Sequence, residues 1–162
     1  VLGGGALSKE GVTRSALVRT DRGGAEFTGP HDSEDAPVGE LLEYLLEPDG
    51  AIIRARLIGD LARSHGAHMI DSTIAYMTSQ APVTSPLMHC FRVRKSVPYS
   101  TKNVQTLVRE AQLGTLEIKK RGIDVDPAAL RTTLPLRGEG SATLILTRAS
   151  GKKTAILADR VS

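Results

Sequence analysis

Apolar positions recur at helical spacing in two stretches of the chain. After Glu47-Pro48-Asp49-Gly50, Ile53, Leu57 and Leu61 return every fourth residue, with Ile58 and Ala62 beside them. This predicts one amphipathic helix, opened by Pro48 or Asp49 and stopped by Gly66. Arg56, Asp60 and Arg63 share its other face, where Asp60 can pair with both arginines; each such exposed pair contributes only about 0.3–0.5 kcal/mol, so the buried stripe fixes the helix. The second stretch, 101–113, turns Val104, Leu107, Val108 and Ala111 inward and Lys102, Gln105, Arg109 and Gln112 outward. Ser100 suits its N-cap and Gly114 its end.

Elsewhere the period is that of strands. Residues 13–20 alternate loosely around Ala16, Leu17 and Val18, and 41–46 suit either a strand or a helical turn. Residues 74–78 and 88–97 read as strands; in the second, Phe91 and Val93 point one way and Arg92 and Arg94 the other, so one face is wet and basic. Residues 115–120 form a strand with Leu116 and Ile118 on the core side. Asp126 and Pro127 open a short third helix through 134, and the apolar runs 141–148 and 153–160 flank Ala149-Ser150-Gly151-Lys152 as a hairpin. Residues 21–39, with Gly23, Gly24, Gly29, Pro30 and Pro37 among acids, read as a long, weakly ordered loop with fast hydrogen exchange. From Phe91 the order is β-α-β-α-β-β, whose strand–helix–strand unit calls for a right-handed crossover. The fold class expected is α+β, with small mixed or antiparallel sheets and helices packed on one face. Three segments follow: 1–40, a strand-helix-strand subdomain at 41–90, and a basic α+β domain at 91–162.

Charge sharpens that division. Among 162 residues with a formal net charge of +3, residues 1–50 hold four Lys and Arg against ten Asp and Glu, a net −6. Residues 51–90 hold three against two, and 91–162 fourteen against six, a net +8. A basic domain beside an acidic segment implies a polyanionic partner, nucleic acid rather than membrane. The densest cluster is Lys119-Lys120-Arg121 at the end of a strand. Arg92, Arg94 and Lys95 lie on an earlier strand, Lys102 and Arg109 on a helix, and Arg137 beyond the third helix. These nine residues are the candidate nucleic-acid contacts, because phosphate contacts release counterions and so supply affinity without sequence preference. The competing reading is a solvated face. Two Phe, three Tyr and no Trp leave an aliphatic core and argue against the stacking platforms of RRM or OB modules.

Other candidate chemistry has plainer readings. Gly3-Gly4-Gly5-Ala6 lacks a strand before it and a helix after it, so it is a linker rather than a phosphate loop. His65, His68 and His89-Cys90 match no closed zinc spacing and read as turn or surface histidines and a small buried thiol. Asp49 and Asp126 serve as helix starts, which also accounts for Glu47 and Asp124 beside them, so no metal is expected. One cysteine excludes an internal disulfide, and no charged, then apolar, then small-residue leader opens the chain, so a reducing cytoplasmic location is expected. The longest uncharged stretch, 72–91, is interrupted by Gln80, Pro82 and Pro86 and is no membrane span.

Three blocks taken together resemble a known family: Glu47-Pro-Asp-Gly-Ala-Ile-Ile-Arg-Ala-Arg-Leu; Ile74-Ala-Tyr-Met-Thr; and Leu116-Glu-Ile-Lys-Lys-Arg-Gly-Ile-Asp-Val-Asp-Pro with Leu136-Arg-Gly and Ser141-Ala-Thr-Leu-Ile-Leu-Thr-Arg. Residues 41–161 are similar to the C-terminal region of bacterial class I S-adenosylmethionine-dependent methyltransferases that carry a THUMP-like domain. The resemblance implies that S-adenosylmethionine is held by a Rossmann-like domain N-terminal to this region, and that 1–40 are that domain's trailing edge with an acidic linker. It also implies, by analogy with true THUMP domains, RNA as the partner of the THUMP-like part. The chain alone is then expected to bind no cofactor and to carry no catalytic residue. Two other readings stand beside this one: a structural domain that docks the catalytic domain without touching nucleic acid, and a hydrolase using Glu47, Asp49 or Asp124.

Overall fold

The computed structural model describes residues 13–21, 23–30 and 36–161; the Gly3-Gly4-Gly5-Ala6 run and part of the expected 21–39 loop lie outside them. The first strands, β1 (Thr13–Thr20) and β2 (Gly23–Pro30), form an antiparallel hairpin. The loop expected at 21–39 is thus corrected over 23–30, where each residue of β2 faces one of β1. Composition misled there because the glycines serve the strand. Gly23 turns the chain at φ +117°, and a Cβ on Gly29 would crowd Leu57 and Asp60. Ala16 and Val18 of β1 are buried with Ile52 and Leu57.

The remaining strands, β3 (Tyr44–Pro48), β4 (His68–Met69), β5 (Met77–Ser79), β6 (Met88–Pro98), β7 (Leu113–Lys120), β8 (Gly140–Ala149) and β9 (Lys152–Arg160), make one mixed sheet in the order β4-β5-β3-β6-β9-β8-β7. Only β7 and β8 are parallel. Among the described residues the helices are α1 (Gly50–Arg54), α2 (Ile58–Ser64), α3 (Thr101–Glu110) and α4 (Pro127–Arg131). The fold is α+β, and from β6 the order is the expected β-α-β-α-β-β. The change of charge at 90/91 falls inside β6, which pairs with β3 through 88–92 and with β9 through 91–98, so one sheet runs through both segments.

Local chemistry explains the boundaries. Asp49 caps α1 by accepting from Ala51 N at 2.9 Å, but the single helix expected from 48 to 66 is two. Arg56 sits at φ +57° and breaks the ladder between them, so the buried stripe is Ile52, Leu57 and Leu61, with Ile53 only partly covered. Asp60 pairs with Arg63 at 3.0 Å. Ser100 caps α3 by accepting from Asn103 N. That helix ends before Gln112, which takes the left-handed turn at φ +51°, while Gly114 lies within β7. The strand expected at 74–78 is the shorter β5. Ser150 and Gly151, both at positive φ, form the two-residue turn between β8 and β9, as a tight hairpin requires.

Both faces of the central strands are covered. On one face α3 and α4 bring Val104, Leu107, Val108 and Leu130 onto Leu116, Leu144, Leu146 and Leu157. On the other, Ile145, Ile156 and Ala158 pack with Leu45, Phe91, Ile70, Ile74 and Tyr76. Asp71 pins the segment carrying Ile70 and Ile74: its carboxylate accepts from the Thr73 amide and hydroxyl and from Gly151 N at 2.7 Å. Burial alone would raise the Asp71 carboxyl, but these bonds outweigh it and hold it below the ordinary range.

Candidate functional site

The nine basic candidates separate into side chains held by close bonds to the protein and side chains left outside. Alternation along β7 places Leu116 and Ile118 under the helices and Glu117 and Lys119 on the opposite face. On a sheet with one buried side, that face would leave Lys119 in solvent. Instead Lys119 Nζ lies 3.1 Å from Glu47 Oε1, and Arg121 Nη2 lies 3.7 Å from Glu47 Oε2. Glu47 is on β3, four steps from β7 in the sheet. At ~4.8 Å per strand a flat sheet would separate them by roughly 19 Å, so the ion pairs require a strongly coiled sheet with β3 and β7 approaching across its inner face. Glu47 is 8% exposed, and Arg121 also stacks 5.3 Å from the centroid of the buried Tyr76 ring. Burial, then the charge of Glu47, pushes the Tyr76 hydroxyl up to about 12.

Arg94 is likewise engaged. The register of β6 against β9 slips between Val93 and Lys95, leaving Arg94 as the extra residue of a bulge, which re-aims its side chain. It grips Asp159 with two bonds of 2.6 and 2.7 Å and donates to the Ser141 carbonyl. Arg94 holds the Asp159 carboxyl below its usual range. Beside it, Arg160 pairs with Glu117 at 2.9 Å and lies over the Phe91 ring. Those bonds lower the Glu117 carboxyl, against the opposing effect of burial and with help from the Thr143 hydroxyl.

The outward group is Arg92, Lys95, Lys102, Arg109, Lys120 and Arg137, all exposed. Arg92 reaches Glu43 only at 4.0 Å and Lys95 reaches Glu110 at 3.5 Å, exposed pairs of little energetic weight. Among the described residues Lys102, Arg109, Lys120 and Arg137 have no ion-pair partner. Arg109 and Arg137 meet at a cleft of about 600 Å³ between the end of α3 and the 135–140 loop. The structure therefore brings those two together, joins Lys119 to Arg121 through Glu47, and keeps Lys120 apart from both neighbours in sequence.

Sequence reasoning brought together neither the buried Glu47 and Tyr76 nor the half-exposed Glu117–Arg160 pair. Their signal was alternation: Arg160 follows Ile156 and Ala158 on one face of β9, and Glu47 closes the run after Leu45 on β3. Of the residues considered for metal, His68 Nε2 donates to the Glu40 carbonyl at 2.7 Å, His65 contacts Ser64 and the Leu61 carbonyl, and Cys90 is buried. Asp126 caps α4 by accepting from Ala128 N. Among the described residues no three His, Cys, Asp or Glu side chains gather to hold a metal, and no helix is long and apolar enough to cross a membrane.

A strand–helix–strand–helix–hairpin unit with its helices on one face, built on a coiled mixed sheet, defines the class of this domain. Residues 88–160, which run from β6 to β9, match the family model described as THUMP domain-like. An uncharacterized S-adenosylmethionine-dependent methyltransferase of Mycobacterium tuberculosis, in strains CDC 1551 / Oshkosh and ATCC 25618 / H37Rv, is 30% identical over 142 residues. The match takes in 88% of this chain and 38% of that protein, so the chain spans well under half the length of the curated relatives it matches. The crystal structure of a candidate methyltransferase from Porphyromonas gingivalis W83 shares the fold with a TM-score of 0.72 and 22% identity, over 85% of this chain and 35% of that one.

Proposed function

We propose that this chain is a non-catalytic part of an S-adenosylmethionine-dependent methyltransferase of the bacterial cytoplasm. In this reading its outward basic residues hold an RNA substrate in place for a methyltransferase domain of the same protein, and that domain binds the donor. The names of the relatives support the methyltransferase context. The RNA role rests on one observation: of the fourteen cations in 91–162, eight have no ion-pair partner among the described residues, against three of the six acids. A surface left this unbalanced attracts a polyanion, and each phosphate neutralised releases counterions.

Binding of a structured RNA, followed by fluorescence anisotropy across a range of salt concentrations, tests the proposal. The combined Arg92→Ala, Lys102→Ala, Lys120→Ala variant is expected to stay folded and to lose about two units of salt slope, close to 0.7–0.9 per phosphate contact. An unchanged slope and affinity would replace RNA by the docking reading, in which the same cations face an acidic surface of the catalytic domain. Calorimetry with S-adenosylmethionine is expected to show no binding to this chain; micromolar binding would place the donor site here.

A further inference from the structure

The cleft at the end of α3 has a chemistry that the fold does not use. Arg109 and Arg137 line it without a carboxylate partner, and Glu139 lines it without a cation partner among the described residues, although only Gly138 separates it from Arg137. Two arginines without ion-pair partners lining one cleft suit a planar oxyanion, which guanidiniums hold with paired N–H bonds. The rest of the wall is different in kind. The Gln112 side chain and Glu139 offer acceptors, and the negative end of the helix dipole opposes a bare anion. A ligand that satisfies both halves carries an anionic group and N–H donors on one rigid body, as a nucleotide does with its phosphate and base edge.

The frame of the cleft is stiff. A Cβ on Gly138 would overlap the Gln112 carbonyl oxygen, and one on Gly114 would overlap the Gly138 carbonyl oxygen. Backbone bonds of 3.0 Å, Gly138 N to Leu113 O and Gly140 N to Gln112 O, fasten the loop to the end of α3. The Cα positions of Arg109 and Arg137 are thereby fixed relative to each other, which lowers the ordering cost of binding.

We infer that this cleft takes one nucleotide of a bound RNA strand, its phosphate on Arg109 and Arg137 and its base edge toward Gln112 and Glu139. The inference rests on the RNA reading above and gives it a defined site. Titration of the chain with each of the four nucleoside 5′-monophosphates, and separately with inorganic phosphate, followed by amide chemical shifts, tests it. The expected result is a set of saturating shifts at Gln112, Gly138, Glu139 and Gly140, with nucleotides bound more tightly than inorganic phosphate. The combined Arg109→Ala, Arg137→Ala variant is expected to weaken nucleotide binding about tenfold or more. Lysine at both positions should recover only part of it, since lysine restores charge without the fork. Glu139→Gln is expected to change the order of preference among the four bases. Shifts scattered over the basic surface, indifference to the double alanine variant, or inorganic phosphate bound as tightly as nucleotides would overturn the inference. If RNA binds with its full salt dependence while the cleft takes no nucleotide, the site is wrong and the RNA reading survives. If nucleotides occupy the cleft but no RNA binds, the RNA reading fails and the inference, which places a strand there, fails with it.

Discussion

Replacing Lys119 and Arg121 by alanine should destabilise the protein, although both lie in the charge run that first suggests a free surface. The Glu47 side chain is 11% exposed, against 23% and 35% for those of Lys119 and Arg121. The double variant therefore strands a carboxylate that water barely reaches. Removing one partner of a fully buried pair costs about 3–5 kcal/mol; partial exposure of both cations puts the double variant at the lower end, about 3 kcal/mol. Lys119→Ala alone leaves Arg121 beside the carboxylate and should cost about 1–2 kcal/mol. Adding Glu47→Gln to the double variant removes the stranded charge and should recover about 1–2 kcal/mol, because a neutral amide is far cheaper to bury. Urea unfolding with an unchanged m-value measures these differences, and thermal melts should fall by about 2–4 °C per kcal/mol in a chain of this size. A loss under about 1 kcal/mol in the double variant, or no recovery from Glu47→Gln, would show that the coiled face does not depend on these pairs.

Tyr76 should couple stability to alkaline pH. Its folded-state value is raised to about 12 from 10.0, so its contribution is whole below pH 10 and is lost as pH rises toward 12, about 2–3 kcal/mol in all. Urea unfolding across that range and ultraviolet titration of tyrosinate check it, and a Tyr76→Phe variant should flatten the dependence. Gly138→Ala should cost several kcal/mol, since its Cβ meets backbone rather than a movable side chain; unfolding midpoints measure it, and a melt within a degree of the parent would contradict the packing of that loop. Asp71→Ala should cost about 1–3 kcal/mol by leaving the Thr73 and Gly151 amides unmatched. Because the Asp71 carboxyl is held below its ordinary value, its contribution is present above the usual carboxylate range and fades as pH falls through the lowered one. Amide exchange along β2 should be slowed at the positions that pair with β1, and uniformly fast exchange over 23–30 would restore the loop expected from composition.

What could be read from sequence was what local pattern determines. Ser100, Asp49 and Asp126 were legible as caps because a cap is a contact within three residues, and Ser150-Gly151 because a hairpin turn is equally local. The order of elements from β6 to β9 followed from their periods. The breaks were less legible. Fourfold spacing of Ile53, Leu57 and Leu61 concealed Arg56, a residue that ordinarily extends a helix and here takes φ +57°. The run of glycines in β2 resembled a loop because the strand beside it and the helix beneath it supply what the composition lacks. Lys119 was the instructive failure. Alternation placed it opposite Leu116 and Ile118 correctly, but facing away from one core meant solvent only if the sheet had a single buried face. The second face is buried by Leu45, Ile70, Ile74, Tyr76 and Phe91, and there Glu47, seventy-two residues earlier, meets Lys119.

That failure bears on how far segment charge informs function. The value of +8 for 91–162 counts Lys119 and Arg121 as free, yet their counter-charge is in the acidic segment, on β3. Conversely Arg94, Lys95 and Arg160 are matched within the basic segment by Asp159, Glu110 and Glu117. A polyanion meets the residue after these subtractions, and the unmatched cations still exceed the unmatched acids. The surviving excess includes Lys102 and Arg109 on α3, Lys120 at the exit of β7 and Arg137 in the loop before β8, all outside the inner face that Glu47 closes. Electrostatic recognition and fold stability therefore draw on different members of one charge run. Loss of Lys120 should register in salt-dependent binding with little change in stability, and loss of its neighbours Lys119 and Arg121 in stability first.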